Sequence, residues 1–531
     1  MSSRSNSDLS YPSSSPNSGS ENETANSGRR RGKRNRRVYF SDERRRKSGR
    51  IRKPAVDLFS ALPDSLLVHV LSFLPIVYAV RTQVLSKRWQ CLWTYTTSLV
   101  FRIDDGNSPG NGKSDDEFVA FVDKTLSLCN CSKIKKFGVQ FVYESEYLSN
   151  VDMWTELVTA KGVEEFQLDF DCAFGEVTYS NYWLPQLLYT NSSFKVLQFN
   201  QCYVMPEGVV SWNSLKKLSI GNAVLSEDLI QKILAGSPVL EILELYCLFG
   251  FNRLHVSNAS MKKLILRDIC EEGIVPEEYQ IFNFADYSVL EISAPHLHSL
   301  EISGAFENKI CQLGDVSSLV DAKLNFHVTG YEDYCDIIEV FENMLKGLLQ
   351  SLVHGKKITL GNWAIKLLSI MELKGLRSPL LKCECLTLEA GIRKSFFPGI
   401  AHMLESSPNL DTLVISVPSS SYDEDEEYFP DQLCKFDGKN YWTSRKKPFT
   451  CLMFRLQKVR FLGFRQYEVG NKLGYYLSFV RFLLKNARVL QKMVINAEIV
   501  GCNSQKEFSR AAQKLLSFPR SSPDAVVMFY E

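Results

Sequence analysis

Nothing in these 531 residues arranges cysteine or histidine as a metal centre or a disulfide framework requires. The 14 cysteines include no Cys-x-x-Cys pair, and the tightest spacings are Cys129 with Cys131 and Cys383 with Cys385. Structural zinc sites and disulfide scaffolds depend on regular short spacings, so no metal site and no disulfide set is expected. Scattered through a long chain, cysteine serves as a small apolar packing residue, a usage that suits a reducing compartment. There are only seven histidines. His296 and His298 would share a face if they lay on a strand, but no third ligand stands near them, and a surface or half-buried position is expected for both.

Catalytic signatures are missing as well. The chain has no Gly-x-Ser-x-Gly elbow, no phosphate-binding P-loop, no Gly-x-Gly-x-x-Gly opening a helix and no His-Glu-x-x-His. No set of nucleophile, base and orienting group can be assembled, so no catalytic residue and no cofactor is expected. Long apolar runs are also wanting. The greasiest stretch, Leu66 to Val80, contains His69, Ser72 and Pro75 and is too short to span a bilayer. Residues 1–28 are rich in Ser, Asn, Gly and Pro and lack the apolar centre of a secretory signal. The expectation is a soluble intracellular protein with no membrane contact.

What is present is ample apolar material, 45% hydrophobic and 12% aromatic, with an ordinary 23% charged. Length alone suggests about three or four domains, but a repeat array can grow beyond that because each unit packs only on its neighbours. The net charge of +2 conceals an asymmetry. Residues 29–53 hold 14 Lys or Arg against Asp42 and Glu43, residues 1–28 carry −2, and the remainder carries −8. Residues 1–53 read as a disordered, Ser-rich and basic tail with too little apolar content to offset the entropy of ordering. The basic cluster comprises Arg29, Arg30, Arg31, Lys33, Arg34, Arg36, Arg37, Arg44, Arg45, Arg46 and Lys47. It admits three readings: a nuclear-import signal, a non-specific contact with nucleic-acid phosphates, or a solvated tail with no address. The mildly acidic body, with no basic stripe interleaved with aromatics, makes nucleic acid the weaker partner.

Composition changes at Pro54. Leu66, Leu67, Val70, Leu71 and Leu74 recur at helical spacing, with Asp64 or Ser65 as N-cap and Pro63 beside it. Pro75 stops this helix, a second runs near Ala79 to Leu85, and a third is expected from Ser86, with Trp89, Leu92 and Trp93 on one face. Three short helices in about 45 residues rarely bury their own stripe without a partner.

Beyond residue 150 the chain repeats. Four 13-residue windows align without gaps: LLYTNSSFKVLQF (187–199), ILAGSPVLEILEL (233–245), MLESSPNLDTLVI (403–415) and LLKNARVLQKMVI (483–495). Each reads as a helix end, a polar turn and a strand of the form apolar-x-x-apolar-x-apolar. The middle apolar positions Phe166, Leu197, Leu218, Leu243, Leu264, Leu300 and Ala322 are separated by 31, 21, 25, 21, 36 and 22 residues. Leucine-rich repeats run about 20–29 residues, so four steps fit, one of them only if Ala322 is a core position, and the other two imply insertions. One strand and one return segment per turn would stack into a parallel sheet with a shared interior and a free outer face. An acidic run, Asp423 to Glu427, marks a solvated loop, and a last unit from Cys451 ends in a helix (Phe508 to Leu516), a Pro-bracketed turn and a strand, Ala525 to Tyr530.

The segment LPDSLLVHVLSFLPIVYAVRTQVLSKRWQCLWTYTTSLVF (62–101) closely resembles the F-box of plant F-box/leucine-rich-repeat proteins, through Leu62-Pro63-Asp64, Leu85 to Trp89 and Leu92-Trp93. KVRFLGF (458–464), KNARVLQKMVI (485–495) and LLSFPRSSPDAVVMFY (515–530) resemble the FBD module that often ends them, with Ala487-Arg488 where Ala-Pro or Ser-Pro is more usual. The resemblance implies an α/β fold, a short three-helix F-box followed by an irregular leucine-rich-repeat solenoid with a C-terminal FBD cap. The expected layout is a tail (1–53), F-box (54–101), connecting region (102–160), repeats (161–417), acidic loop (418–450) and FBD-like module (451–531).

It also implies a non-catalytic substrate adaptor of a cullin-type ubiquitin ligase. The F-box would dock on a Skp-type linker, and through it on a cullin and a RING protein, while the repeats hold an unidentified target. The linker contact is assigned by this resemblance to Leu62, Pro63, Leu66, Leu67, Leu71, Leu74, Val84 and Trp89, with about half of them expected inside the F-box core. The expected location is the nucleus, with the cytoplasm as a second compartment. The alternative is a nuclear leucine-rich scaffold contacting nucleic acid through its tail without ubiquitin transfer.

Overall fold

The structure is a computed structural model of the chain. It describes residues 59, 61–103, 115–171, 182–269, 288–307, 309–329, 334–417, 438, 440–445, 448–465, 471–498 and 512–530. The basic cluster Arg29 to Lys47 and the acidic run Asp423 to Glu427 lie outside the described residues.

All four aligned windows fold alike. Helices end at Tyr189, Ala235, Ser406 and Asn486, and each is followed by a strand: Val196–Asn200, Ile242–Phe249, Thr412–Ser416 and Lys492–Glu498. Helix and strand pack their apolar sides on one another, so neither is stable alone and the unit repeats as a whole. Fifteen strands form one sheet in which every pairing is parallel. The seven spaced positions from Phe166 to Ala322 stand opposite one another strand by strand. Ala322 is fully buried and pairs with Leu300, so it is a core position.

The array is longer than the repeat pattern indicated. The same row begins with Leu99 and Phe137 and continues through Ile358, Leu386, Leu413, Val459, Met493 and Val527. The stretch 102–160 is therefore more than a connection. It supplies the second strand, Lys136–Val142, and the helices Asp115–Leu128 and Leu148–Ala160. The C-terminal module ends the array, its strands Lys458–Arg465, Lys492–Glu498 and Val526–Tyr530 completing the same sheet. Of the final helix read from the sequence, residues 512–516 are described and helical.

The long step between Leu264 and Leu300 holds an insertion with its own structure. Its strand Ser288–Ser293 leaves the main sheet and pairs with Arg253–His255 on one side and Lys309–Leu313 on the other. The long helix Tyr334–Ser351 packs against that small sheet. Lys309 is buried there and its Nζ donates to Asn252 Oδ1 at 2.7 Å and Ser288 Oγ at 3.0 Å, so the ammonium is solvated by the protein.

Two backbone devices recur at the sheet margins. Ahead of the strands, one carbonyl accepts two successive N–H groups from the next turn: Glu164 from Lys195 and Val196, Lys195 from Lys216 and Lys217, Lys216 from Glu241 and Ile242. Behind them, Gln201, Asn222, Cys247 and Asp268 occupy the same position on successive strands, and all four have a left-handed backbone with φ between 48° and 57°. Gly304 and Gly463 continue this feature on later strands. Within the longer strands the left-handed residue acts as a bulge, beyond which pairing resumes, Ala223 with Leu248 and Phe306 with Ile269.

Among the described residues nine cysteines are free, and six of these are buried, in line with their reading as packing residues. Cys129 and Cys131 face each other, Sγ to Sγ at 2.8 Å, and their shared hydrogen bond draws the Cys129 thiol down and pushes Cys131 up. His296 and His298 are exposed and sit in the turn before the strand Ser299–Glu307 instead of on it. No group of three or more His, Cys, Asp or Glu is placed to hold a metal ion among the described residues. Among those residues, too, no helix is long and apolar enough to cross a membrane.

Candidate docking ridge and open face of the sheet

The N-terminal module has two helices, Asp64–Leu71 and Ile76–Arg81, followed by short 3-10 segments at Thr82–Val84 and Trp89–Tyr95. The third helix expected from Ser86 is thus a tighter 3-10 run, in keeping with the modest helix propensity of Trp, Cys, Thr and Tyr. The first helix has Pro63 at its N-cap and no side-chain cap, which corrects the capping expectation. Asp64 is instead engaged by Arg88, whose Nε donates to Oδ1 at 2.8 Å, and Arg88 also donates to the carbonyl of Leu62. Leu62-Pro63-Asp64 and Lys87-Arg88-Trp89, the two ends of the motif, are held together by this one side chain.

Burial divides the eight nominated residues. Leu67 and Leu71, one helical turn apart, are fully buried together with Ile76 and Ala79, so they are internal core and cannot reach a partner. Trp89 and Leu62 are half-buried and pack on that core. Pro63, Leu66, Leu74 and Val84 are exposed. Four further apolar residues that the sequence reading omitted, Val70, Phe73, Tyr78 and Leu85, are exposed with them, Val84 at 82% and Phe73 at 74%. The signal was available for two of them: Leu66, Val70 and Phe73 follow at i, i+4 and i+7, a second apolar stripe beside the Leu67–Leu71 stripe. Scattered single apolar residues on a surface are ordinary, but so many within one short segment form a ridge of the sort that marks an interaction site.

On the face of the sheet away from the core, charges alternate from strand to strand. Glu244 lies between Lys217 at 3.4 Å and Arg267 at 2.9 Å. Glu301 lies between Lys263 and Lys323, and Lys323 reaches Glu389 at 3.1 Å, which also accepts from Asn325 at 2.7 Å. A second chain of hydrogen bonds links Asn222 to Asn200 and Asn200 to Asp169. Tyr246 lies over Gly221 on the adjacent strand, and burial pushes its phenol well above the usual range. At the strand entrances Glu164 takes Lys133 at 2.5 Å and Lys195 at 2.7 Å, and these two hydrogen bonds hold its carboxyl at about 2. This surface is polar, with its charges paired from strand to strand.

Three family models match in the order the fold displays: F-box domain over residues 59–99, the LRR repeats of FBD-associated F-box protein At5g56370 over 151–325, and FBD over 445–495. The F-box/LRR-repeat protein At5g02910 of Arabidopsis thaliana is 32% identical over 447 residues, covering 83% of this chain and 88% of that protein. This chain belongs to the plant F-box/LRR-repeat family. The similarity extends to the F-box/LRR-repeat protein At3g03360, at 28% identity over 487 residues, with 90% of this chain and 91% of the relative covered. F-box protein At5g03100 is 31% identical over 336 residues, 62% of this chain and 96% of its own length. Both are from Arabidopsis thaliana. Within this F-box/LRR-repeat protein the FBD model covers the strand Lys458–Arg465 and the start of Lys492–Glu498, and the F-box model ends at the first strand of the common sheet.

Proposed function

We infer that this F-box/LRR-repeat protein is the substrate-recognition subunit of a cullin-type ubiquitin ligase. Its F-box docks on a Skp-type linker, which brings a cullin and a RING protein, and the open face of the repeat sheet holds the target. The reading rests above all on the apolar ridge of Pro63, Leu66, Phe73, Leu74 and Val84, whose exposure would be costly to solubility without a partner. Full burial of one such aliphatic side chain is worth about 1.5–3 kcal/mol, so a few truncations suffice to abolish docking. The chain makes and breaks no bond itself; a separate conjugating enzyme supplies ubiquitin, and this protein provides proximity.

The basic cluster from Arg29 to Lys47 gives the protein a nuclear address in this reading. Removal of residues 1–53 then abolishes nuclear accumulation while leaving linker binding intact.

The test is a pull-down of full-length protein with purified Skp-type linker and cullin. A Leu66→Ala/Phe73→Ala/Val84→Ala variant changes only exposed side chains and keeps the fold. Capture of the wild type and loss in this variant supports the adaptor role. Absence of capture by folded wild type refutes it and brings forward a nuclear scaffold that contacts nucleic acid through its tail.

A further inference from the structure

We propose that the FBD module binds a small phosphate-bearing molecule in a cleft between its helices. The cleft has a volume of about 410 Å³ and is lined by Asn440, Trp442, Thr443, Arg445 and Pro448, one side of the helix Asn471–Asn486, and Lys514 with Phe518. That size lies in the range of small-molecule sites, roughly 300–1,000 Å³.

Its charge is one-sided. Arg445, Arg481, Lys485 and Lys514 line it, and among the described residues no Asp or Glu does. Arg481, Lys485 and Lys514 have no carboxylate partner among the described residues. Arg481 and Lys485 are one helical turn apart, a like-charge spacing that destabilises a helix by itself. The contrast with the rest of the molecule is plain, because on the sheet face Lys217, Arg267, Lys263 and Lys323 are each matched to a glutamate. Arg445 is held in place by Glu372 at 3.3 Å and by the Phe449 ring beneath it at 4.6 Å, which fixes one guanidinium at the cleft wall.

A second observation points to a ligand independently of charge. Trp442 lines the same cleft and is only 1% exposed, yet its indole N–H has no acceptor among the described residues. A buried donor left without an acceptor is costly and rare. A phosphate oxygen in the cleft would supply the acceptor, and charge-assisted hydrogen bonds from guanidinium and ammonium groups would neutralise the anion. Phe482 and Phe518 form an apolar wall suited to the ligand's carbon body.

The test titrates full-length protein with inorganic tripolyphosphate, followed by calorimetry and by tryptophan fluorescence. Arg481→Gln/Lys485→Gln alters two exposed side chains, and Trp442→Phe removes the N–H while keeping an aromatic ring. Saturable binding is expected, weakened about tenfold or more in the double variant, with the fluorescence response lost in Trp442→Phe. Equal binding by wild type and double variant overturns the proposal. So does equal competition by sulfate at matched ionic strength, which would mean an adventitious ion only, and so does tighter binding of a short single-stranded RNA or a phosphopeptide than of tripolyphosphate. Linker capture by the double variant is expected to be unchanged, which separates this site from the docking ridge.

Discussion

Arg88 spans the F-box to reach Asp64, Nε to Oδ1 at 2.8 Å, and joins a residue of the motif's opening tripeptide to one near its close 24 positions later. The pair is largely exposed, and exposed ion pairs stabilise by about 0.2–1 kcal/mol. Its value lies in position more than energy, because the same guanidinium also holds the Leu62 carbonyl. Arg88→Ala is therefore expected to shift the urea midpoint of the full chain very little but to weaken linker binding several-fold. Calorimetric titration of linker into both proteins, alongside urea melts, separates the two effects; a large loss of stability with unaltered linker affinity would contradict this role.

Leu264 sits in the middle of the core row, fully buried between Leu243 and Leu300 on the flanking strands. Leu264→Ala should destabilise by about 2–5 kcal/mol through lost transfer energy and the cavity left behind. Val526→Ala, at an exposed position of the terminal strand, should cost under about 0.5 kcal/mol. Chemical denaturation of both variants checks the contrast.

Gly221 has no room for a side chain, since a Cβ there would stand 1.9 Å from Cε2 of Tyr246. Gly221→Ala must displace that ring, and overpacking of this kind costs about 1–3 kcal/mol. In a Tyr246→Ala background the same substitution should be close to neutral. A double-mutant cycle measured by urea unfolding gives the coupling; additive effects would mean the ring moves aside freely.

Glu164 accepts hydrogen bonds from Lys133 and Lys195, and its carboxyl is held at about 2 in the folded chain. A carboxylate with a depressed folded value contributes stability that is fully present above its unfolded value, near 4.3. That contribution is lost as pH falls from there through the folded value near 2. Lys195→Gln should raise the Glu164 titration midpoint, and the variant's loss of stability should be full above about pH 5 and vanish as pH falls toward the folded value. Carbon-detected NMR of glutamate-labelled protein reads the midpoint directly.

The helix end, turn and strand of each repeat were legible because helical and strand periods alternate at fixed spacing. The row from Phe166 to Ala322 was read in its true register for the same reason. The early strand Ser98–Arg102 was missed because a 3-10 run and not a regular helix precedes it, whereas Lys136–Val142 does follow a helix, Asp115–Leu128, and carries the pattern in Ile134, Phe137 and Val139. Nor could apolar pattern alone reveal that Ser288–Ser293 joins a second sheet, since its buried Leu290 and Ile292 look like any other repeat core.

In the F-box, adjacent residues Leu66 and Leu67 are equally apolar, so composition could not assign one to the surface and the other to the interior; packing of the first helix on the 3-10 run Trp89–Tyr95 decides it. The FBD cleft was illegible because its walls come from segments separated by tens of residues. The left-handed residues Gln201, Asn222, Cys247 and Asp268 share a conformation but no chemistry, and pattern reading depends on chemistry.

Their alignment bears on how such a chain can change over time. At Gly304 the place of a Cβ is already taken by the Asp268 carboxylate, 2.0 Å away, which accepts the N–H of Ala305 at 2.8 Å. A substitution at either residue is therefore judged by its neighbour one turn along, not by its neighbours in sequence. Duplicating or deleting a repeat here would bring together two turns that had never been matched, so this stretch should drift by paired substitution more readily than by gain or loss of whole units.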